Sequence, residues 1–318
     1  MSISHPHPTR RSPMAKKALL VGINNFTRPS WKLNGCVNDT LDLQNLLQSF
    51  YGFTSEEIRI LHDKDASQQA IRDNLGWLLN GSAAGDVLLF HFSSHGTQVD
   101  DQGDDEWECL DEVIVPYDHD WQKPFRDDEL RELFGKIPAG VNFNFIADCC
   151  HSGSIQRELL DSDIEFKSRY IVPPREIRNR IKAKQEKRDA EADAWASEEL
   201  SKLLLGIPVE QWAAKIQEFM ALLRRRFREN KYGVVKVERH VLLAACEDRQ
   251  TAADATLEGT ARGAFTWALG KAIRAANGDL TYDQLITRTA GYLGDFQQKP
   301  QLECPDQLRG LKVCAALV

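Results

Sequence analysis

The stretch FNFIADCCHSGS, residues 143–154, ends an apolar run on a carboxylate, two adjacent thiols, a histidine and a turn of small residues. A thiol attacks well only as the thiolate, so a cysteine nucleophile needs an imidazole or another positive influence beside it. A second apolar run, DVLLFHFSSHG (86–96), delivers such a group in His95, with Gly96 next to it. Backbone N–H groups at Gly96 and in the Cys-His-Ser-Gly turn are candidate oxyanion donors. A third run, RHVLLAACED (239–248), ends on Cys246 and Asp248. Two other readings compete: structural thiols beside a core histidine, and a metal site at Cys149, Cys150 and His151. The second lacks the further Cys/His cluster that a zinc site requires.

These groups need elements that bring them to one edge. KALLVGIN (17–24), IRIL (58–61), 86–96, 141–153 and 239–248 read as strands, the longer ones as continuous apolar runs that stop at turn residues. Helices fall between them. Val37, Leu41, Leu43, Leu46 and Leu47 mark one, with Asn38 or Asp39 near its start, and Ile71, Leu75 and Leu78 mark another. Alternating strands and helices predict a parallel sheet covered on both faces, with ligands outside the carboxyl ends of the strands. Between 155 and 238 the composition becomes charged and helix-forming. There Val209, Trp212, Ile216, Phe219, Leu223 and Phe227 are spaced to pack as one helical face. The expected organisation is a disordered leader (1–15), two halves of one domain (16–154 and 239–318) and a helical insert (155–238).

A formal charge of −7 over 318 residues, with 27% charged and 42% hydrophobic residues, argues against nucleic acid or an anionic membrane as the main partner. No apolar run is long enough to span a bilayer, and MSISHPHPTRRSPMAKK lacks the apolar centre of a signal peptide. Seven cysteines without a CxxC pair signal neither a disulfide framework nor a zinc knuckle, so a reducing, cytoplasmic setting is expected.

HFSSHG and DCCHSGS, in that order, resemble the metacaspases, caspase-like cysteine peptidases of the C14 type. ALLVGIN, LNGCVNDT, SSHGTQ, LDEVIVPYD, RDDEL, LLAACEDRQTAAD, ARGAFTWAL and QQKPQL extend the resemblance, in order, over most of the chain outside the insert. The separation of 55 residues from His95 to Cys150 is close to the spacing of about 50 in caspases. The resemblance implies an α/β caspase-like sandwich with a central, mostly parallel sheet and helices on both faces, plus the helical insert. It implies a thiol protease acting on protein or peptide substrates, with His95 and Cys150 as the catalytic pair. Cys149 is then structural, and His151 points elsewhere.

The same resemblance places Asp39 and Asp148, with Cys36 and Ser93 as lesser wall residues, in an acidic pocket. Two carboxylates favour a guanidinium or ammonium, so cleavage after Arg or Lys is expected; the competing reading has Asp39 merely capping its helix. Asp111, Asp127 and Asp128 match three calcium-binding carboxylates, while Arg157 stands at the fourth position, where a cation cannot ligate. Arg180, Lys187, Arg188, Lys202, Arg224, Arg225, Arg226, Arg228 and Lys231 make the insert a candidate for self-cleavage. Members of this family are generally monomeric, and LKVCAAL (311–317) is the candidate edge strand. The alternative function is a catalytically silent caspase-like module that acts by binding a partner.

Overall fold

The computed structural model describes residues 14–102, 109–150, 166–219, 240–247, 250–296 and 298–317. Five of the six strands of the main sheet run parallel: β1 (Lys16–Gly22), β2 (Ile58–His62), β3 (Val87–Ser93), β7 (Asn142–Asp148) and β9 (Val241–Ala244). The short β12 (Gln301–Glu303) closes one edge antiparallel to β9. The order is β12-β9-β7-β3-β1-β2. All seven residues of β3 and of β7 are buried, as a central strand covered on both faces requires.

Helices α1 (Cys36–Tyr51), α5 (Ala264–Ala275) and α6 (Tyr282–Tyr292) lie over one face; α2 (Gln68–Leu79) and α3 (Asp127–Gly135) cover the other. α1 begins after Gly35 without a side-chain cap, which leaves Asp39 inside the helix and available for other partners. Two small sheets flank the main one. β4 (Gly96–Asp100), β5 (Leu110–Ile114) and β6 (Phe125–Arg126) form one; β8 (Phe166–Ser168), β10 (Ala253–Leu257) and β11 (Thr260–Gly263) form the other.

The described part of the insert is dominated by α4 (Arg175–Leu204), which is charged nearly all round. It is anchored near its start by Ile177 against Val99 and Val113 and by Arg180 on Asp100, at 2.8 Å. The apolar face expected after it does not pack as a unit. Val209, Trp212 and Ile216 are exposed, and only Phe219 is buried, against Trp195. A helix as polar as α4 offers that face little apolar surface to cover it; Leu223 and Phe227 lie outside the described residues. LKVCAAL forms no strand: Val313 and Cys314 turn into the core, and β12 takes the edge. No described helix is long and apolar enough to cross a membrane.

Candidate active site

Parallel register sets the site. Ser93 of β3 lies opposite Asp148 of β7, so His95 and Cys150 each stand two residues beyond a paired position, at the carboxyl ends of adjacent strands. Side chains alternate faces along β7. Phe143, Phe145, Ala147 and Cys149 enter the layer under α2 and α3, while Ile146 and Cys150 face the layer that holds α5. The two adjacent thiols are therefore not equivalent, and burial pushes the Cys149 thiol well up, toward an inert neutral form.

The His95 Nε2 lies 2.7 Å from the carbonyl oxygen of Trp31. A carbonyl only accepts, so Nε2 carries the proton and Nδ1 keeps its lone pair. Burial against Phe26 lowers the imidazole pKa to about 4, which keeps it neutral at physiological pH. Nδ1 is buried without a hydrogen-bond partner among the described residues. The Cys150 sulfur accepts a short hydrogen bond from the Ala252 N–H and lies 3.1 Å from the Cys246 sulfur. Asp248 and His151 are outside the described residues.

Beside the thiol is a fully buried recess holding a single guanidinium, that of Arg169. Its Nη2 lies 2.7 Å from Asp39 and 3.1 Å from Asp254, and its Nη1 lies 3.0 Å from Asp148 and 2.9 Å from the Ser93 hydroxyl oxygen. Neutral donors fix every carboxylate. Gly263 N–H and the Ser93 hydroxyl bond Asp39; Thr266 bonds Asp148 through both its N–H and its hydroxyl; Asn34 and Gly35 N–H groups bond Asp254. Such donors orient the acids, and those on Asp39, with Arg169, oppose the burial that raises it to about 6. Cys36 lines the same recess, its thiol pushed up by burial. The Arg169 carbonyl oxygen accepts from Gly96 N–H at 2.9 Å and Cys150 N–H at 3.3 Å, the placement required of donors to a developing oxyanion.

The architecture and this site have counterparts among known proteins. The caspase domain of the C14 peptidases matches residues 15–311. The chain belongs to the metacaspase family. It is 30% identical over 301 residues to metacaspase-1 of Schizosaccharomyces pombe, covering 92% of this chain and 68% of that protein. It is 32% identical over 306 residues to metacaspase-1 of Pyricularia oryzae, covering 92% and 72%. The fold is similar to a crystal structure of a Geobacter sulfurreducens protein, with TM-score 0.61, 21% identity and coverage of 96% and 100%. It is also similar to caspase-1 of Spodoptera frugiperda, with TM-score 0.52, 14% identity and coverage of 95% and 94%. Its chemistry is accordingly that of a caspase-like cysteine peptidase acting on protein substrates.

Two pocket residues escape the motif reading of this metacaspase sequence. Asp254 sits inside the quoted LLAACEDRQTAAD, but nothing in that segment distinguishes its carboxylate from the others. Arg169 belongs to no motif, and the nearest of its partner carboxylates in sequence is 21 residues away at Asp148. The three acids matched to a cation site each have an arginine partner. Asp111 makes a short ion pair with Arg126; Asp127 and Asp128 pair with Arg131 at 3.2 and 2.5 Å. Among the described residues, no three carboxylate, histidine or cysteine side chains gather to hold a metal. The three acids as placed do not fit a calcium shell, because Arg126 and Arg131 already occupy them; Arg157 is outside the described residues.

Proposed function

We propose that the chain is an endopeptidase that cuts on the carboxyl side of Arg or Lys, with Cys150 as nucleophile and His95 as general base. One observation carries the reading: the recess beside Cys150 holds a guanidinium on Asp39, Asp148 and Asp254. A planar fork satisfies several oxygens at once, so Arg is preferred over Lys, and an aspartyl side chain would bring a fourth negative charge into a dry pocket. His95 Nδ1 takes the thiol proton, and the N–H groups of Gly96 and Cys150 hold the carbonyl oxygen as it becomes negative. The same preference makes the Lys/Arg-rich insert a candidate for self-processing. Calcium enters this reading only as a ligand that would have to displace Arg126 and Arg131 from Asp111, Asp127 and Asp128, and no step is routed through it.

The test is hydrolysis of matched fluorogenic peptides ending in Arg, Lys or Asp, with Cys150→Ala as the blank. Arg above Lys, no turnover of Asp and no turnover by the variant is the expected pattern. Cleavage of the Asp peptide, or activity that survives in the variant, contradicts the reading.

A further inference from the structure

Resting on that reading of the site, we infer that the chain's own residues 166–171 are its first substrate, and that the bond cut is Arg169–Tyr170. The segment lies in the cleft as an extended peptide on both sides of that bond. Upstream, Phe166, Lys167 and Ser168 pair antiparallel with Ala255, Asp254 and Ala253 of β10, and the Arg169 N–H donates to Ala252 O at 3.0 Å. This is strand addition to an exposed edge, a common way to hold a peptide for recognition. At the bond itself the guanidinium fills the acidic recess and the carbonyl oxygen lies between two backbone donors. Downstream, Tyr170 bridges Gly96, Ile171 N–H donates to Gly96 O at 3.0 Å, and the Thr97 hydroxyl donates to Ile171 O at 2.6 Å. Ala252 ties the two halves of the chemistry together, since its N–H bonds the Cys150 sulfur while its carbonyl holds the Arg169 N–H.

Of the basic residues that composition alone singles out, Arg224, Arg225, Arg226, Arg228 and Lys231 lie outside the described residues, and the other four are worse placed. Arg180, Lys187, Arg188 and Lys202 all lie within α4, whose backbone would have to unwind to enter an extended cleft. Arg169 is already extended and already seated.

The step balances as follows. His95 Nδ1 accepts the Cys150 thiol proton as sulfur bonds to the Arg169 carbonyl carbon, and the oxygen takes the electron pair between Gly96 and Cys150 N–H. The bond to the Tyr170 nitrogen then breaks, and that nitrogen leaves with the proton from His95. Water, deprotonated by His95, attacks the thioester; the Arg169 carboxylate departs and the thiol is restored. Until then the seated segment excludes any other substrate. The uncut chain is therefore blocked at its specificity pocket and oxyanion donors together.

Intact mass and N-terminal sequencing of the full-length chain, incubated over a tenfold range of concentration, test the inference. Expected is a fragment beginning at Tyr170, formed at a rate independent of protein concentration because the bond is held in cis, and absent from Cys150→Ala. Arg169→Lys keeps a cation for the acids and is cut at the same bond, more slowly. Arg169→Gln loses this cut by at least 100-fold. In wild type, hydrolysis of a peptidyl-arginine substrate shows a lag that tracks the appearance of Tyr170. An enzyme that hydrolyses the arginine peptide without a lag while the Arg169–Tyr170 bond stays whole would overturn the inference and leave the peptidase reading standing. A protein that cuts neither itself nor any arginine peptide overturns both. Because Arg169→Gln could unfold around three uncompensated acids, Arg169→Lys, which preserves the charge, serves as the second variant. An Arg169→Lys protein that folds, hydrolyses peptides and leaves its own bond before Tyr170 intact contradicts the inference.

Discussion

At the residue scale, the site separates two titrations that sequence alone would merge. His95 is held down to about 4 by burial, whereas Asp39 is raised to about 6 by burial, with Arg169 pulling the other way. Guanidinium binding needs the Asp39 carboxylate, so kcat/KM for an arginine peptide should fall as pH drops, at a limb no lower than about 6, because an empty pocket lacks the arginine that holds Asp39 down, while the base remains neutral over that interval. A pH–rate profile checks this, and an acid limb near 4 would assign it to the histidine instead. Asp39→Asn leaves Asp148 and Asp254 but removes the carboxylate closest to the guanidinium. Losing one partner of a buried charge pair costs about 2–5 kcal/mol, or roughly 30-fold to several thousand-fold in kcat/KM. The same variant should also lose this Asp39 limb. Asp127 behaves differently. Burial lifts it to about 7, so the folded chain keeps a proton there that the unfolded chain gives up near the ordinary carboxylate value. Stability from this group is complete at low pH and falls as pH rises through about 7. Asp127→Asn should therefore raise the Tm at pH 8 and change it little near pH 4; a lower Tm at pH 8 would mean that the ionised acid does structural work.

At the element scale, the pocket depends on close approach between segments far apart in sequence. Gly263 ends β11 at the start of α5, and a Cβ there would come within 2.3 Å of Asp148 Oδ2 and 2.5 Å of Arg169 Nη1. Gly263→Ala should displace both groups, cost about 1–3 kcal/mol in urea unfolding and raise KM for arginine peptides; an unchanged KM would show that the pocket relaxes freely. The strands that carry His95 and Cys150 were legible because buried parallel strands are continuous apolar runs that stop at turns, and the helices were legible from their spacing. The short pieces were not. β8 is three residues without a hydrophobic alternation of its own, and what makes it a strand is the exposed edge of β10, which no local pattern announces. Three of the four described residues of the face expected after α4 are exposed for the converse reason: periodicity records which residues share a face, not whether a partner exists to bury it.

At the scale of the whole molecule, a metacaspase fold explains why thiol, imidazole and acids from across the chain meet at one sheet edge. The family resemblance located His95, Cys150, Asp39 and Asp148 by matching segments; it could not locate Arg169, which lies in the stretch where the matching segments stop. Cutting after Arg169 need not break the molecule apart. β7, upstream of the cut, stays paired with β9, downstream of it, and the new downstream end is held by Ile171 in the core and by α4 through Ile177 and Arg180, so Arg169 can leave the recess while the pieces stay together. The two pieces should therefore co-elute on size exclusion after processing; separate elution without denaturant would contradict that anchoring. Calcium titration should give no concentration-dependent rise in Tm, since a ligand stabilises only by binding the folded state and Arg126 and Arg131 already occupy the acids. The most direct test of the central claim, a reactive Cys150 beside a pocket that reads positive charge, is covalent labelling with a peptidyl-arginyl electrophile, followed by intact mass and peptide mapping. A single adduct on Cys150, lost in Asp39→Asn and absent with the aspartyl analogue, is the predicted result. Labelling of another cysteine, or equal labelling by the aspartyl analogue, would contradict the account.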